Sequence, residues 1–202
     1  MFWDRVAWAY DIFANVINRK ADRALCAAVE RRIAPSDKVL ECACGTGLLT
    51  DVIAPRCKSL VATDFSAKML KRAKQKCKKY GNVTFAQANI LQLPYPDGCF
   101  DAVVAANVIH LLDDPYAALH ELERVCKPGG RLIIPTYIKS TLNGVSGVLD
   151  KAGADFKREF TLDTYKRFFA DAGYTDADYT LCTGRVPCAV AVLKTKIAGD
   201  TK

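Results

Sequence analysis

Five short apolar runs, Lys38–Ala43, Leu60–Asp64, Val83–Gln87, Phe100–Ala106 and Arg131–Ile134, are separated by turn signals and by stretches with helical spacing. A chain written this way is restricted to an open, mostly parallel sheet with helices on both faces. The helical stretches run from Phe2 to Arg32, from about Leu48 to Ala54, from Ser66 as N-cap toward Lys79, and from Asp114 to the Lys127-Pro-Gly-Gly130 turn. Another helix is expected over Thr161–Ala172. Two final strands, Asp178–Cys182 and Val186–Leu193, are joined by Thr183-Gly-Arg185, which is too short for a parallel crossover, so the pair is antiparallel.

Length and composition narrow the function classes. At 202 residues, half hydrophobic and a quarter charged, the chain reads as one globular domain over 1–202. It has no apolar run of the ~18–20 residues that a membrane helix needs and no secretory leader pattern, so the cytosol is the expected location. Nine cysteines are an odd number without a C-x-x-C pair, and there are two histidines. Reduced, buried thiols are expected, with neither a disulfide scaffold nor a metal site. The net charge is +7, and seven cations without an acid lie in Lys68–Lys79. The solvated face of an amphipathic helix, with Met69, Leu70 and Ala73 inward, explains that run better than a nucleic-acid or membrane patch.

The most informative segment is Val39-Leu-Glu-Cys-Ala-Cys-Gly-Thr-Gly-Leu-Leu-Thr50. A glycine turn between a buried strand and a helix lets a ligand approach the backbone beside free N–H groups. Gly45 and Gly47 fit a G-x-G-x-x-G dinucleotide loop, but Thr50 holds the third position, which disfavours a pyrophosphate. Asp64 ends the second strand, where a carboxylate can accept both ribose hydroxyls. Glu41 ends the first strand, near where a cationic group would fall. A ribose-bearing cation fits these acids, and S-adenosylmethionine is such a ligand.

In order, Glu41-x-x-x-Gly45-x-Gly47, Asp64-Phe-Ser-x-x-Met69-Leu, Ala88-Asn-Ile-x-x-Leu-Pro94, Phe100-Asp-x-Val, Asn107-Val-Ile-His110-Leu-Leu and Val125-x-Lys-Pro-Gly-Gly130-x-Leu resemble the class I S-adenosylmethionine-dependent methyltransferases over Val39–Tyr137. The opening, Phe2-x-x-x-Ala7-x-x-Tyr10-Asp11, is also similar to quinone-biosynthesis C-methyltransferases. The resemblance implies a Rossmann-like, doubly wound, seven-stranded sheet. It implies a helical cap over 1–34, a cofactor core over 38–137 and an acceptor-site segment over 139–160. It further implies that Glu41, Ala43, Gly45 and Gly47 lie against the methionine part and that Asp64 holds the ribose. Phe65, Met69, Asn89 and Ile90 would surround the adenine, and the Asn107 backbone would meet the amino group. Ala43 stands where a glycine is usual, which is tolerable if its φ is negative. Asn89 stands where an acid is frequent.

Methyl transfer from a sulfonium is an in-line displacement that leaves S-adenosylhomocysteine, and positioning can supply up to ~7–11 kcal/mol of it. A base is needed only for a nucleophile with a high-pKa proton. His110 and Tyr10 are the candidates for the acceptor site; otherwise His110 caps a helix and Tyr10 packs in the core. A small-molecule acceptor, with the chain a monomer or homodimer, is the first reading. The alternatives are an RNA or protein methyltransferase, lacking here an N/D-P-P-Y/F tetrad, and a non-catalytic binding module.

Overall fold

The computed structural model describes residues 18–139 and 157–196. In chain order these form α1 (Arg19–Glu30), β1 (Lys38–Cys42), α2 (Thr50–Ile53), β2 (Ser59–Asp64), α3 (Ala67–Lys76), β3 (Val83–Gln87), β4 (Phe100–Ala105), α4 (Pro115–Val125), β5 (Cys126–Tyr137), α5 (Leu162–Asp171), β6 (Asp178–Cys182) and β7 (Cys188–Lys194). The expected helix over Phe2–Arg32 is therefore described only from Arg19, and Tyr10 lies outside the described residues, as do residues 140–156.

Seven strands form one sheet in the order β3-β2-β1-β4-β5-β7-β6. The first five are parallel, and β7 inserts antiparallel between β5 and β6, as the short hairpin loop requires. Each strand's alternation sends side chains to two helical layers. Val39, Leu60, Val104, Ile133 and Val190 pack with Leu25 and Val29 of α1 and Ile53 of α2. Ala62 on that same side meets Leu70 and Ala73 of α3. Leu40, Val103, Leu132 and Ala191 pack on the other side with Leu119 and Leu122 of α4 and Phe168 and Phe169 of α5. Each large side chain buried this way contributes at most roughly 1.5–3 kcal/mol.

Three boundaries differ from the sequence expectation. The helix after the glycine loop is one turn, Thr50–Ile53, and Pro55 lies within a following 3-10 turn instead of ending an α-helix. α3 ends at Lys76, with Cys77 as its C-cap. β5 begins at Cys126, ahead of the Lys127-Pro-Gly-Gly130 turn: Phe100 pairs with Cys126 and Ala102 with Arg131, so residues 127–130 bulge out of a continuous strand. All nine cysteines are free thiols, seven of them buried. Among the described residues no His/Cys/Asp/Glu cluster could hold a metal, and no helix is long and apolar enough to cross a membrane.

The β6–β7 hairpin touches α1 through a glycine. A Cβ on Gly184 would sit 2.6 Å from the Ala21 Cβ and 2.9 Å from its backbone nitrogen. Gly184→Ala should therefore push the helix off the hairpin and cost about 1–3 kcal/mol in denaturant unfolding. Gly81→Ala, with open space around the new methyl, should stay within about 0.5 kcal/mol of the parent.

Candidate functional site

The loops after β1, β2, β3 and β4 enclose a cleft of about 310 Å³ at the carboxyl edge of the sheet, a size suited to a small ligand. Eight of the ten expected cofactor positions line it: Ala43 and Gly45 from the first loop, Asp64, Phe65 and Met69 from the second, Asn89 and Ile90 from the third, and Asn107 after β4. Thr63, Ala88, Ala106, Val108, Leu111 and Leu112 complete its wall without having been expected as cofactor positions.

One carboxylate organises the loops. Asp64 accepts the Gly45 N–H on Oδ2 and the Ser66 N–H on Oδ1, each at 2.8 Å. These two bonds hold the carboxylate at the cleft edge, and a carboxylate oxygen can accept more than one hydrogen bond. Ser66 then caps α3 by accepting the Met69 N–H at 3.2 Å, as expected from the sequence. Gln87 donates to the Phe65 carbonyl at 2.8 Å, fixing the backbone below a half-exposed ring.

The glycine loop is left-handed three times over, with φ of +55° at Ala43, +56° at Gly45 and +86° at Gly47. Ala43 thus does not meet the condition of a negative φ, and its side chain costs about 1–2 kcal/mol in this region. A Cβ on Gly45 would meet nothing within 4 Å, so the residue leaves open space in the cleft wall. Gly47 lies behind the loop, where a Cβ would come within 3.2 Å of the Ala73 backbone. Its absence of a side chain is what seats α3 against the loop.

Glu41 is also behind the loop and not on the cleft wall. It is 2 % exposed, and its Oε2 accepts the Thr50 hydroxyl hydrogen bond at 2.6 Å. Burial, reinforced by the nearby Asp64 charge and opposed by the Thr50 bond, pushes its carboxyl up to about 8. Thr50, read in the sequence only as a departure from a dinucleotide loop, is thus the partner of this acid.

Asn107 combines two costs. It is a non-glycine residue at φ +52°, held there by its N–H donating to the Pro135 carbonyl at 2.8 Å. Its Oδ1 is buried without a hydrogen-bond partner, a condition that costs about 1–3 kcal/mol. Backbone strain and an orphaned acceptor thus coincide at one residue of the cleft wall. The Asn89 Oδ1 already accepts the Leu91 N–H at 3.0 Å, which leaves it one further lone pair.

His110 sits on the 3-10 turn Ile109–Leu111, buried at 4 % exposure, with Nδ1 3.1 Å from the Thr136 hydroxyl. Burial, and secondarily the Arg158 charge, pull the imidazole down to about 4, so it is uncharged at neutral pH. It does not line the cleft, whereas its neighbours Leu111 and Leu112 do. Arg158 holds this turn: it donates through Nη1 to the Leu112 carbonyl at 2.7 Å and through its backbone N–H to the His110 carbonyl at 3.3 Å. Cys42 and Cys44 are buried beside the loop, burial raising both thiols well above their usual range, so they are inert packing groups. His120 is exposed on α4.

A carboxyl whose folded value exceeds its unfolded one binds more protons in the folded state, so its stabilising effect is full below about pH 4.5 and is lost as pH rises through about 8. Glu41→Gln should flatten the fall of Tm across that window, measured by calorimetry in matched buffers. Asp22, raised by burial to about 7, would supply the slope that remains. His110 works in the opposite sense, its contribution present above pH 6.5 and lost as pH falls through about 4. Its ring proton resonance, identified by loss in His110→Asn, should titrate near pH 4.

The family described as methyltransferase domain matches residues 40–134. The chain is 36% identical over 148 residues to the demethylmenaquinone methyltransferase of Corynebacterium urealyticum, covering 72% of this chain and 62% of that one. It is 30% identical over 179 residues to the ubiquinone/menaquinone biosynthesis C-methyltransferase UbiE of Proteus mirabilis, covering 75% and 71%. The chain thus spans about three fifths of the length of the first relative. The N-methyltransferase NodS of Bradyrhizobium japonicum, solved with S-adenosyl-L-homocysteine, superposes with a TM-score of 0.66 at 21% identity, covering 86% of each chain. With the cleft, the loop geometry and the sheet order in place, the chain belongs to the class I S-adenosylmethionine-dependent methyltransferase family.

Proposed function

We propose that this chain binds S-adenosylmethionine in the cleft and transfers its methyl group to a small-molecule acceptor of the quinol type. The observation that carries the reading is the pairing of Asp64 with the Gly45 and Ser66 N–H groups, which holds an acidic ribose acceptor at the edge of an open cleft. The residues fit the cofactor. Gly45 leaves room beside the backbone, and the unpartnered Asn107 Oδ1 suits the ammonium of an amino-acid tail. Phe65, Met69 and Ile90 offer apolar surface for a purine. Bound there, the cofactor would supply a methyl group on a positively charged sulfur, already a good leaving group.

The chain's own residues then have to position and dehydrate. Leu111, Leu112 and Val108 exclude water from the cleft wall. His110 is too weak a base to hold a proton at neutral pH, so we assign it hydrogen bonding and orientation at the acceptor side. Tyr10 is retained as a second acceptor-side candidate. The segment 139–160 is retained as the acceptor-side candidate, and its described end supports this: Ile138 bridges Phe160, and Arg158 is tied to the turn that carries His110. The quinol class is supported by the names of the relatives, demethylmenaquinone methyltransferase and ubiquinone/menaquinone C-methyltransferase. Nine free thiols support a reducing compartment such as the cytoplasm.

Purified protein given S-adenosylmethionine and a metabolite panel that includes short-chain quinols should release S-adenosylhomocysteine with a quinol; release with RNA or protein alone would overturn the reading. Asp64→Ala should lower S-adenosylhomocysteine affinity in calorimetry about ten- to hundredfold, the loss of charge-assisted hydrogen bonds. Asn107→Gly separates strain from function: it should raise Tm by relieving φ +52° and yet weaken the ligand. Unchanged affinity in both variants would reject the cofactor site.

A further inference from the structure

The cation run of α3 is only part of a larger asymmetry. α1, α2 and α3 lie on one side of the sheet, α4 and α5 on the other. Residues 18–36, 50–58 and 66–82, which build the first side, carry fourteen lysines and arginines against three acids. Residues 113–125 and 157–177, on the opposite side, carry five against eight. Acids offset only a minority of these charges: Asp22 is buried, Glu30 pairs with Arg56 at 2.6 Å, Asp51 pairs with Lys79 at 3.1 Å, and Asp178 of β6 pairs with Arg32.

A solvated helix face explains cations on α3 alone; it does not explain why residues 18–36, which carry α1, add five more on the same side of the sheet. Local geometry points to what the surface meets. The amino end of α3 is also the rim of the cleft, where Phe65 lines the cavity and is 54 % exposed. A row of cations leading to an exposed aromatic at a cavity mouth is the combination that anionic lipid headgroups and the acyl boundary satisfy together. Nucleic acid fits less well, because the cations of α3 have no aromatic residues interleaved for base stacking.

We infer that the side formed by α1, α2 and α3 is a docking surface for an anionic lipid bilayer, with the Phe65 rim of the cleft brought to the membrane. The inference deepens the proposed function, on which it rests to this extent: an apolar quinol acceptor would partition into that bilayer. It also stands on charge placement that does not depend on the acceptor.

Co-sedimentation of the full chain with vesicles tests it without any turnover. The protein should bind vesicles of equal phosphatidylglycerol and phosphatidylcholine, ignore pure phosphatidylcholine, and lose binding as salt rises. Each surface lysine near an anionic bilayer is worth roughly fivefold in partitioning, so Lys71→Gln, Lys74→Gln and Lys78→Gln combined should weaken it on the order of a hundredfold. The three arginine replacements should restore it. Affinity for S-adenosylhomocysteine should be unchanged throughout, since none of the three lines the cleft. Equal binding to both vesicle types, or undiminished binding by the triple glutamine variant, would overturn the inference; so would tighter binding to oligouridylate than to anionic vesicles at the same salt. Failure of every quinol in the acceptor panel, with vesicle binding as expected, would instead reject the acceptor class and leave the surface standing.

Discussion

The Asp64 carboxylate is the joint on which the functional end of the sheet depends. β1 and β2 run parallel, and nothing in the ladder fixes the path of the chain once each strand has ended. Two backbone N–H groups donating to one carboxylate, Gly45 from the first loop and Ser66 from the second, tie those paths together at 2.8 Å each. The same contact orients Ser66 to cap α3, so the position of a helix and the shape of a cleft follow from one side chain. Removing it would leave two loop N–H groups without a partner as well as removing an acid, which is why its effects on ligand and loop are expected together.

Strain is concentrated around that joint and is absent from the sheet beneath it. Ala43 and Asn107 are the only non-glycine residues with positive φ among the described residues, and both line the cleft. Asn107 adds an unpartnered acceptor. Such costs persist where the surroundings over-determine the backbone, here the Cys44 N–H bonding to the Thr63 carbonyl and the Asn107 N–H bonding to the Pro135 carbonyl. A ligand that donates to the Asn107 oxygen would recover part of that cost.

The strands were legible because parallel strands buried on both faces read as continuous apolar runs, and the hairpin because three residues cannot cross over. Pro128-Gly129-Gly130 was misread as a plain turn because a bulge uses the same residues. It is distinguished only by register, Phe100 to Cys126 and then Ala102 to Arg131. At the site, the loop positions followed from glycine placement, but Glu41 was expected near a ligand cation and is buried instead. The signal was available: Glu41 shares parity with Val39, so it faces α2 and α3, and Thr50 is the first residue of that helix. The sign of φ at Ala43 carries no such signature, since alanine gives no hint of a left-handed backbone. The apolar wall of Val108, Leu111 and Leu112 reads as core in any one-dimensional pattern.

The two ends of this functional account are held by different kinds of group, and that separation has a consequence. The cleft is built from backbone N–H groups, strained φ values and one carboxylate, all fixed by the ends of β1, β2 and β4. The cationic side is built from exposed side chains on helices whose inner faces, Met69, Leu70 and Ala73 in α3, do the packing. Changing a surface lysine alters neither the buried face nor the loop. Electrostatic attraction to a surface can thus be tuned by substitution without disturbing the ligand site, and the ligand site can be altered without discharging the surface. The one place where the two meet is the turn from β2 into α3, where Asp64, Phe65 and Ser66 follow one another. A substitution at Phe65 is therefore the change expected to register in both ligand affinity and surface attachment, and it is the residue through which either would sense the other.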